Sequence, residues 1–295
     1  MMRRTACFVL ALSTGLVLGT SAAHAQNPPA KLTIGLFAPN SGFTGGNDFG
    51  YITSLANHLK NVTGIPTTGQ VWRDAGSFSR AAGGLNFAVV DPIYLCFNKR
   101  FTVLASGRMG GGGRAPWGLY GSSGIGRLGD LKGKRLALAA SGARDTTFAE
   151  GMLGGRLKVT SFFSQIVYRK DLTSAINAVK GGQADAVLAP AALATGLRLV
   201  YTTPSVPNAG FVVASGGLPQ DLVRKVAGAV MGFGGPAVGG WGGPTGYSCP
   251  AGRVSYAMDT VNLRYVPPAG ESVIRKLQPG KGYTMAPILG HFRVD

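Results

Sequence analysis

Acidic residues are scarce in this chain, with 12 Asp and Glu set against 29 Lys and Arg, and only 14% of its residues are charged. About 25% is usual, so the formal charge of +17 comes from missing acids and not from a surplus of bases. Such a balance speaks to solubility and to anionic ligands or surfaces, not to a fold. No run of Lys and Arg is interleaved with aromatics, which removes the footprint of a nucleic-acid binder. Histidine is nearly absent: His24 lies close to the start, His58 on an expected helix, and His291 near the end. No Ser/His/Asp set, H-E-x-x-H or Cys-x-x-Cys is present, so the residues call for neither catalysis, a metal nor a cofactor. Of three cysteines, Cys7 falls in the leader, and Cys96 and Cys249 lack metal-ligand spacing. These two either form one disulfide, which an oxidising compartment permits, or remain buried thiols. No stretch after residue 25 is long and apolar enough to span a bilayer.

What is present begins with an export pattern. Arg3 and Arg4 precede an apolar run from Phe8 to Leu18, and Ala23-His24-Ala25 forms a small-x-small cleavage site before Gln26. Residues 1–25 are therefore expected to leave as a signal peptide, giving a periplasmic or secreted chain of about 270 residues. That length suits two lobes of ordinary size.

Two stretches 98 residues apart are nearly the same: GGLNFAVVDP from Gly83 to Pro92 and GGQADAVLAP from Gly181 to Pro190. Each turns on a glycine pair, runs as a buried strand and stops at proline, which predicts two α/β lobes of one design. Each lobe is expected to offer a strand end and a following helix N-terminus to a cleft, the usual place for a ligand.

Strands are predicted at 31–37, 70–73, 87–90, 101–105, 135–140, 186–189 and 197–201. Trp117 to Tyr120 is expected to cross between lobes. Phe49, Ile52, Leu55, Leu59 and Val62 recur at helical steps over 47–62. Ser77 is expected to cap a short helix to Ala82, and Asp171 a helix over 172–179. Further helices are predicted at 145–153, 219–231 and 271–277, with a strand near 261–266. Residues 232–252 read as Gly/Pro-rich loop. The alternation predicts an α/β fold with largely parallel sheets. The expected divisions are 26–113 for the first lobe, 114–208 for the second, 209–232 for the return to the first, and 233–295 for a Gly/Pro-rich C-terminal region.

The phrases LKNVTG (Leu59–Gly64), FAVVDPIY (Phe87–Tyr94), DLKGKRLALA (Asp130–Ala139) and SAINAVKGGQADAVLAP (Ser174–Pro190) come in an order and spacing of their own. In these the chain resembles the type 2 periplasmic substrate-binding proteins of ABC importers, in the phosphonate/phosphite/phosphate-binding branch, from about residue 31 to about 232. The resemblance implies two lobes joined by two crossing strands, a small anionic solute, a membrane permease as partner, a monomer and no catalysis. It implies that Tyr94, in Pro92-Ile93-Tyr94, contacts the ligand. The chain departs from the family at 141–147. Phosphonate binders there carry a Ser-Thr-Ser run, whereas this chain reads Ser141-Gly142-Ala143-Arg144-Asp145-Thr146-Thr147.

The candidate ligand residues are Asn40, Ser41, Thr44, Asp91, Tyr94, Ser141, Gly142, Arg144, Thr146 and Thr147. At the second-lobe turn, Ser141, Gly142, Thr146 and Thr147 would offer backbone and hydroxyl donors and Arg144 a bidentate charge. Alternatively Asp145 or Thr146 merely caps the helix and Arg144 is solvated. Asp91 either accepts from a ligand or caps the helix opening at Pro92. Asn40, Ser41 and Thr44 either face a ligand or satisfy a turn, and Asn208 sits at the expected hinge. Trp72 and Trp117 are expected in the core. A sensory or accessory binding module, a periplasmic enzyme on the same scaffold and an interaction protein working through residues 232–252 are the alternative roles.

Overall fold

A computed structural model describes residues 27–43, 47–142, 144–155, 157–234 and 239–249, together with the backbone of 263–265 and 292–294. The expected signal peptide, Thr44 and the helix expected at 271–277 lie outside the described residues.

Two α/β lobes are built around two mixed sheets. The chain begins with β1 (Leu32–Phe37), α1 (Asn47–Thr63), β2 (Thr67–Val71), α2 (Ala75–Ala81), β3 (Phe87–Val90), α3 (Pro92–Phe97) and β4 (Thr102–Gly107). It crosses on β5 (Arg114–Ala115) to β6 (Trp117–Gly121), β7 (Arg135–Ala139), α4 (Asp145–Met152), α5 (Val159–Phe162), β8 (Gln165–Arg169), α6 (Leu172–Lys180), β9 (Ala186–Pro190) and β10 (Arg198–Thr202). It returns on β11 (Val206–Pro207) to β12 (Gly210–Val213), α7 (Gln220–Met231) and β13 (Trp241–Gly242), and β14 (Leu263–Tyr265) pairs with β15 (Phe292–Val294). The first sheet runs β13-β4-β12-β3-β1-β2 and the second β10-β6-β9-β7-β8.

β5 and β11 pair antiparallel as a two-stranded hinge. The crossing therefore falls at Arg114–Ala115, and the expected crossing strand, 117–120, belongs to the second sheet. Pairs within the βαβ units, β1 with β2 and β3 and β7 with β8 and β9, are parallel. The strands next to each crossing, β6 and β12, are antiparallel to their neighbours. A chain that enters a sheet from the hinge side runs opposite to strands fed by helical crossovers, which explains why the sheets are less parallel than expected.

The repeated phrases become β3 and β9, each inside its sheet and buried along its whole length. β3 leads into α3. β9 leads into a turn, closed by Leu193 N–H to Pro190 O (3.1 Å), so only the first lobe places a helix there.

α1 buries Tyr51, Ile52, Leu55, Ala56 and Leu59 against the first sheet. Phe49 and Val62, in its terminal turns, face solvent. α2 starts two residues earlier than expected: Asp74, not Ser77, is the cap, accepting from Ser77 N (2.7 Å). Asp171 caps α6 as expected, accepting from Ser174 N (2.7 Å). Trp117 is buried and Trp72 half-buried.

The segment expected as loop after α7 is a pinned strap. Trp241 hydrogen-bonds Tyr51 Oη (2.9 Å), Thr245 N bonds Ser106 Oγ (3.0 Å), Tyr247 Oη bonds Asn208 O (2.6 Å), and Cys249 is disulfide-bonded to Cys96 on α3. A Cβ on Gly210 would lie 2.7 Å from Leu95 Cδ1 and 2.9 Å from Tyr247 Oη, so a larger residue there would have to displace Leu95 and the strap's Tyr247. Asn208 spends its amide on the carbonyls of Gly107, Met109 and Gly112, at 2.7–3.0 Å. Its side chain fastens the hinge.

Candidate functional site

The lobes meet at the carboxyl ends of β1 and β3 in the first sheet and of β7 and β8 in the second, where ligands bind in open α/β sheets. Two backbone turns make the junction. Leu172 N at the start of α6 donates to Pro39 O (2.8 Å), and Asn40 Nδ2 donates to Ser141 Oγ.

Asp91 ends β3 and is 0% exposed. Its Oδ1 accepts from Ile93 N (2.8 Å) and Tyr94 N (3.2 Å), capping α3, and its Oδ2 accepts from Asn40 N (2.7 Å). Asp145, 5% exposed, accepts from Ser141 N (3.2 and 3.0 Å) and Gly142 N (3.2 Å). A hydrogen-bonded line therefore runs across the lobes from Asp91 through Asn40 and Ser141 to Asp145. Gly142 has φ +147°, a conformation that side-chain-bearing residues rarely adopt.

Two buried carboxylates this close repel one another in a medium that already disfavours charge. Burial pushes Asp91 up to about 6, against the lowering effect of the Asn40, Tyr94 and Ile93 amides. Burial, and then the Asp91 charge, push Asp145 up to about 7, against the Gly142 and Ser141 amides. Of the two readings of this turn, the Ser141 and Gly142 amides follow the second: they are held by the protein's own Asp145.

Beside this line lies a cavity of about 540 Å³, lined by α2 (Ala75, Gly76, Ser79), by α3 and its C-terminus (Ile93, Tyr94, Phe97, Asn98) and by the turn before α4 (Ser141, Gly142, Arg144). Both lobes contribute to it. Arg144 is the one charged residue among these, and its guanidinium carbon lies 5.6 Å from the Phe97 ring centroid, across the lobe boundary. Tyr94 packs among Phe37, Phe78 and Phe101 at centroid distances of 5.4–6.2 Å. Its hydroxyl finds no hydrogen-bond partner among the described residues.

The structure thus brings Tyr94, Ser141, Gly142 and Arg144 to one cavity. Asn40 and Asp91 are buried in the line beside it. Ser41 is buried with its hydroxyl unpaired among the described residues, and Thr146 and Thr147 are half-buried in the first turn of α4, outside the lining. Phe97 and Asn98 went unread in the sequence, although their positions, four residues beyond Ile93 and Tyr94, put them on the same helix face. Nothing in the sequence places α2 there. Among the described residues no His/Cys/Asp/Glu group could hold a metal, and no described helix is long and apolar enough to cross a membrane.

A family model described as the phosphonate periplasmic substrate-binding protein of ABC transporters matches residues 52–240. Among solved structures, PhnD1 from Prochlorococcus marinus in complex with methylphosphonate is similar at TM-score 0.57 and 10% identity, covering 70% of this chain and 85% of that one. A binding-protein component of an ABC phosphonate transporter from Pseudomonas aeruginosa has TM-score 0.55 and 12% identity, covering 72% and 77%. A Xanthomonas citri protein bound to ATP has TM-score 0.51 and 14% identity, covering 69% and 83%. No curated protein matches the chain.

Proposed function

Because this chain belongs to the phosphonate periplasmic substrate-binding proteins of ABC transporters, we propose that it captures a small anionic solute between its lobes and delivers it to a membrane permease, without transforming it. The observation that carries the reading is the cavity shared by both lobes, with Arg144 the one charged residue among the described residues that line it. A guanidinium fits a carboxylate or phosphonate oxygen pair bidentately. The Tyr94 and Ser141 hydroxyls stand ready as further contacts, one from each lobe. Because the cavity is lined from both sides of the β5–β11 hinge, opening the hinge splits the contact set and closing it restores the set. That is the differential contact a ligand needs to shift such an equilibrium.

On this reading the protein acts as a monomer, exported by cleavage near Ala25/Gln26, and its lobes divide at the hinge strands. A thermal-shift screen of the purified protein tests the proposal, since a ligand bound to the folded state raises apparent stability. The expected hits are small anions, and their stabilisation should vanish in Arg144→Gln. Hits confined to neutral or cationic solutes would overturn the reading.

A further inference from the structure

Resting on the function proposed above, we infer that the solute is an organic anion with an apolar, ring-sized body, and that Asp145 and Asp91 enforce this by holding the amides an inorganic oxyanion would need. Five amides beside the line between the lobes are already held by carboxylates. Asp145 holds Ser141 N and Gly142 N, and Asp91 holds Ile93 N, Tyr94 N and Asn40 N. A phosphate or small phosphonate entering either position would evict a carboxylate and face the other across the same interface. Densely charged anions are therefore turned away from the line between the lobes.

The cavity beside it has a different chemistry. Its one cation lies over an aromatic ring, an arrangement that keeps a guanidinium attractive to anions while its plane stays covered. Ala75, Ile93 and Phe97 give the lining an apolar side. Ser141 Oγ accepts from Asn40, which leaves its own proton free to donate. The volume of about 540 Å³ lies in the range of clefts that bury drug-sized ligands, about 300–1,000 Å³. A lone oxyanion would leave most of that space to water. An aryl group fills it and covers Phe97 and Ile93 while the anionic end reaches Arg144.

The test is calorimetry with pairs of probes that share a head group: acetate against phenylacetate, and methylphosphonate against phenylphosphonate, with inorganic phosphate alone. The aryl member of each pair should bind at least tenfold more tightly, and Arg144→Gln should lose that binding by at least tenfold. Asp145→Ser, which frees the two amides, should gain affinity for methylphosphonate, with a melting curve confirming that it folds. Methylphosphonate or phosphate binding the native protein as tightly as the aryl probes would overturn this inference and leave the proposed anion capture standing. Aryl binding that survives Arg144→Gln unchanged would overturn both.

Discussion

Replacing Asp145 with asparagine should flatten the dependence of stability on pH. In the folded protein burial raises this carboxyl from 3.8 to about 7. Between those values the folded state keeps a proton that the unfolded chain has released. Stability therefore falls as pH rises through the window and levels off above about 7. From pH 5 to pH 8 the loss from this group is about 2–3 kcal/mol, at about 1.4 kcal/mol per pH unit. Asp91 acts in the same sense between 3.8 and about 6, and most of its contribution is complete by pH 7. At pH 5 the native Asp145 is protonated and, like asparagine, offers one carbonyl oxygen, so the variant should match the native protein to within about 1 kcal/mol. At pH 8 it escapes the cost of charging a buried site and should be the more stable of the two. For a chain of this size 1 kcal/mol moves Tm by about 2–4 °C, so the gap between the proteins should swing by about 5–10 °C. Thermal denaturation of both at pH 5 and pH 8 measures it directly. Parallel Tm profiles would refute the placement of Asp145 as a buried carboxylate facing Asp91.

Tyr94→Phe should fold normally and weaken solute binding about fivefold to tenfold, the worth of one hydrogen bond; unchanged affinity by calorimetry would remove Tyr94 from the contact set. Tyr94→Ala should instead cost about 3–5 kcal/mol, because the ring fills a space among Phe37, Phe78 and Phe101. Reducing the Cys96–Cys249 bridge opens a loop with a sequence separation of 153 and should cost about 2–5 kcal/mol; an unchanged denaturation midpoint under reductant would show that the strap is held without it. Asn208→Ala should cost about 1–3 kcal/mol by stranding the carbonyls of Gly107, Met109 and Gly112, and urea titration checks it.

The lobes were legible because their cues are local. The glycine pairs before β3 and β9, the prolines that follow β3 and end β9, and Asp171 ahead of an apolar stripe each act within a few residues. The cavity was half legible, since a strand end followed by Pro92-Ile93-Tyr94 points at a cleft whatever lies opposite. What the sequence hid depends on partners far along the chain. Asp145 reads as a helix-start residue, but its standing opposite Asp91 follows from how two sheets meet. The strap had no local signal of order in a stretch so rich in glycine and proline. Its partners are Tyr51, Ser106, Asn208 and Cys96, all more than 35 residues away. Asn208 falls at the expected hinge, and only the three carbonyls around it decide that it is a fastener.

The claim on which the rest depends is that a solute sits between the lobes with its anionic end on Arg144. A crystal structure of the protein with a solute taken from the thermal-shift screen tests it most directly. Density for that solute is expected between Tyr94 and Arg144, its charged atoms within hydrogen-bond distance of the guanidinium. Density on an outer face of either lobe, with the cavity holding only water, would contradict it.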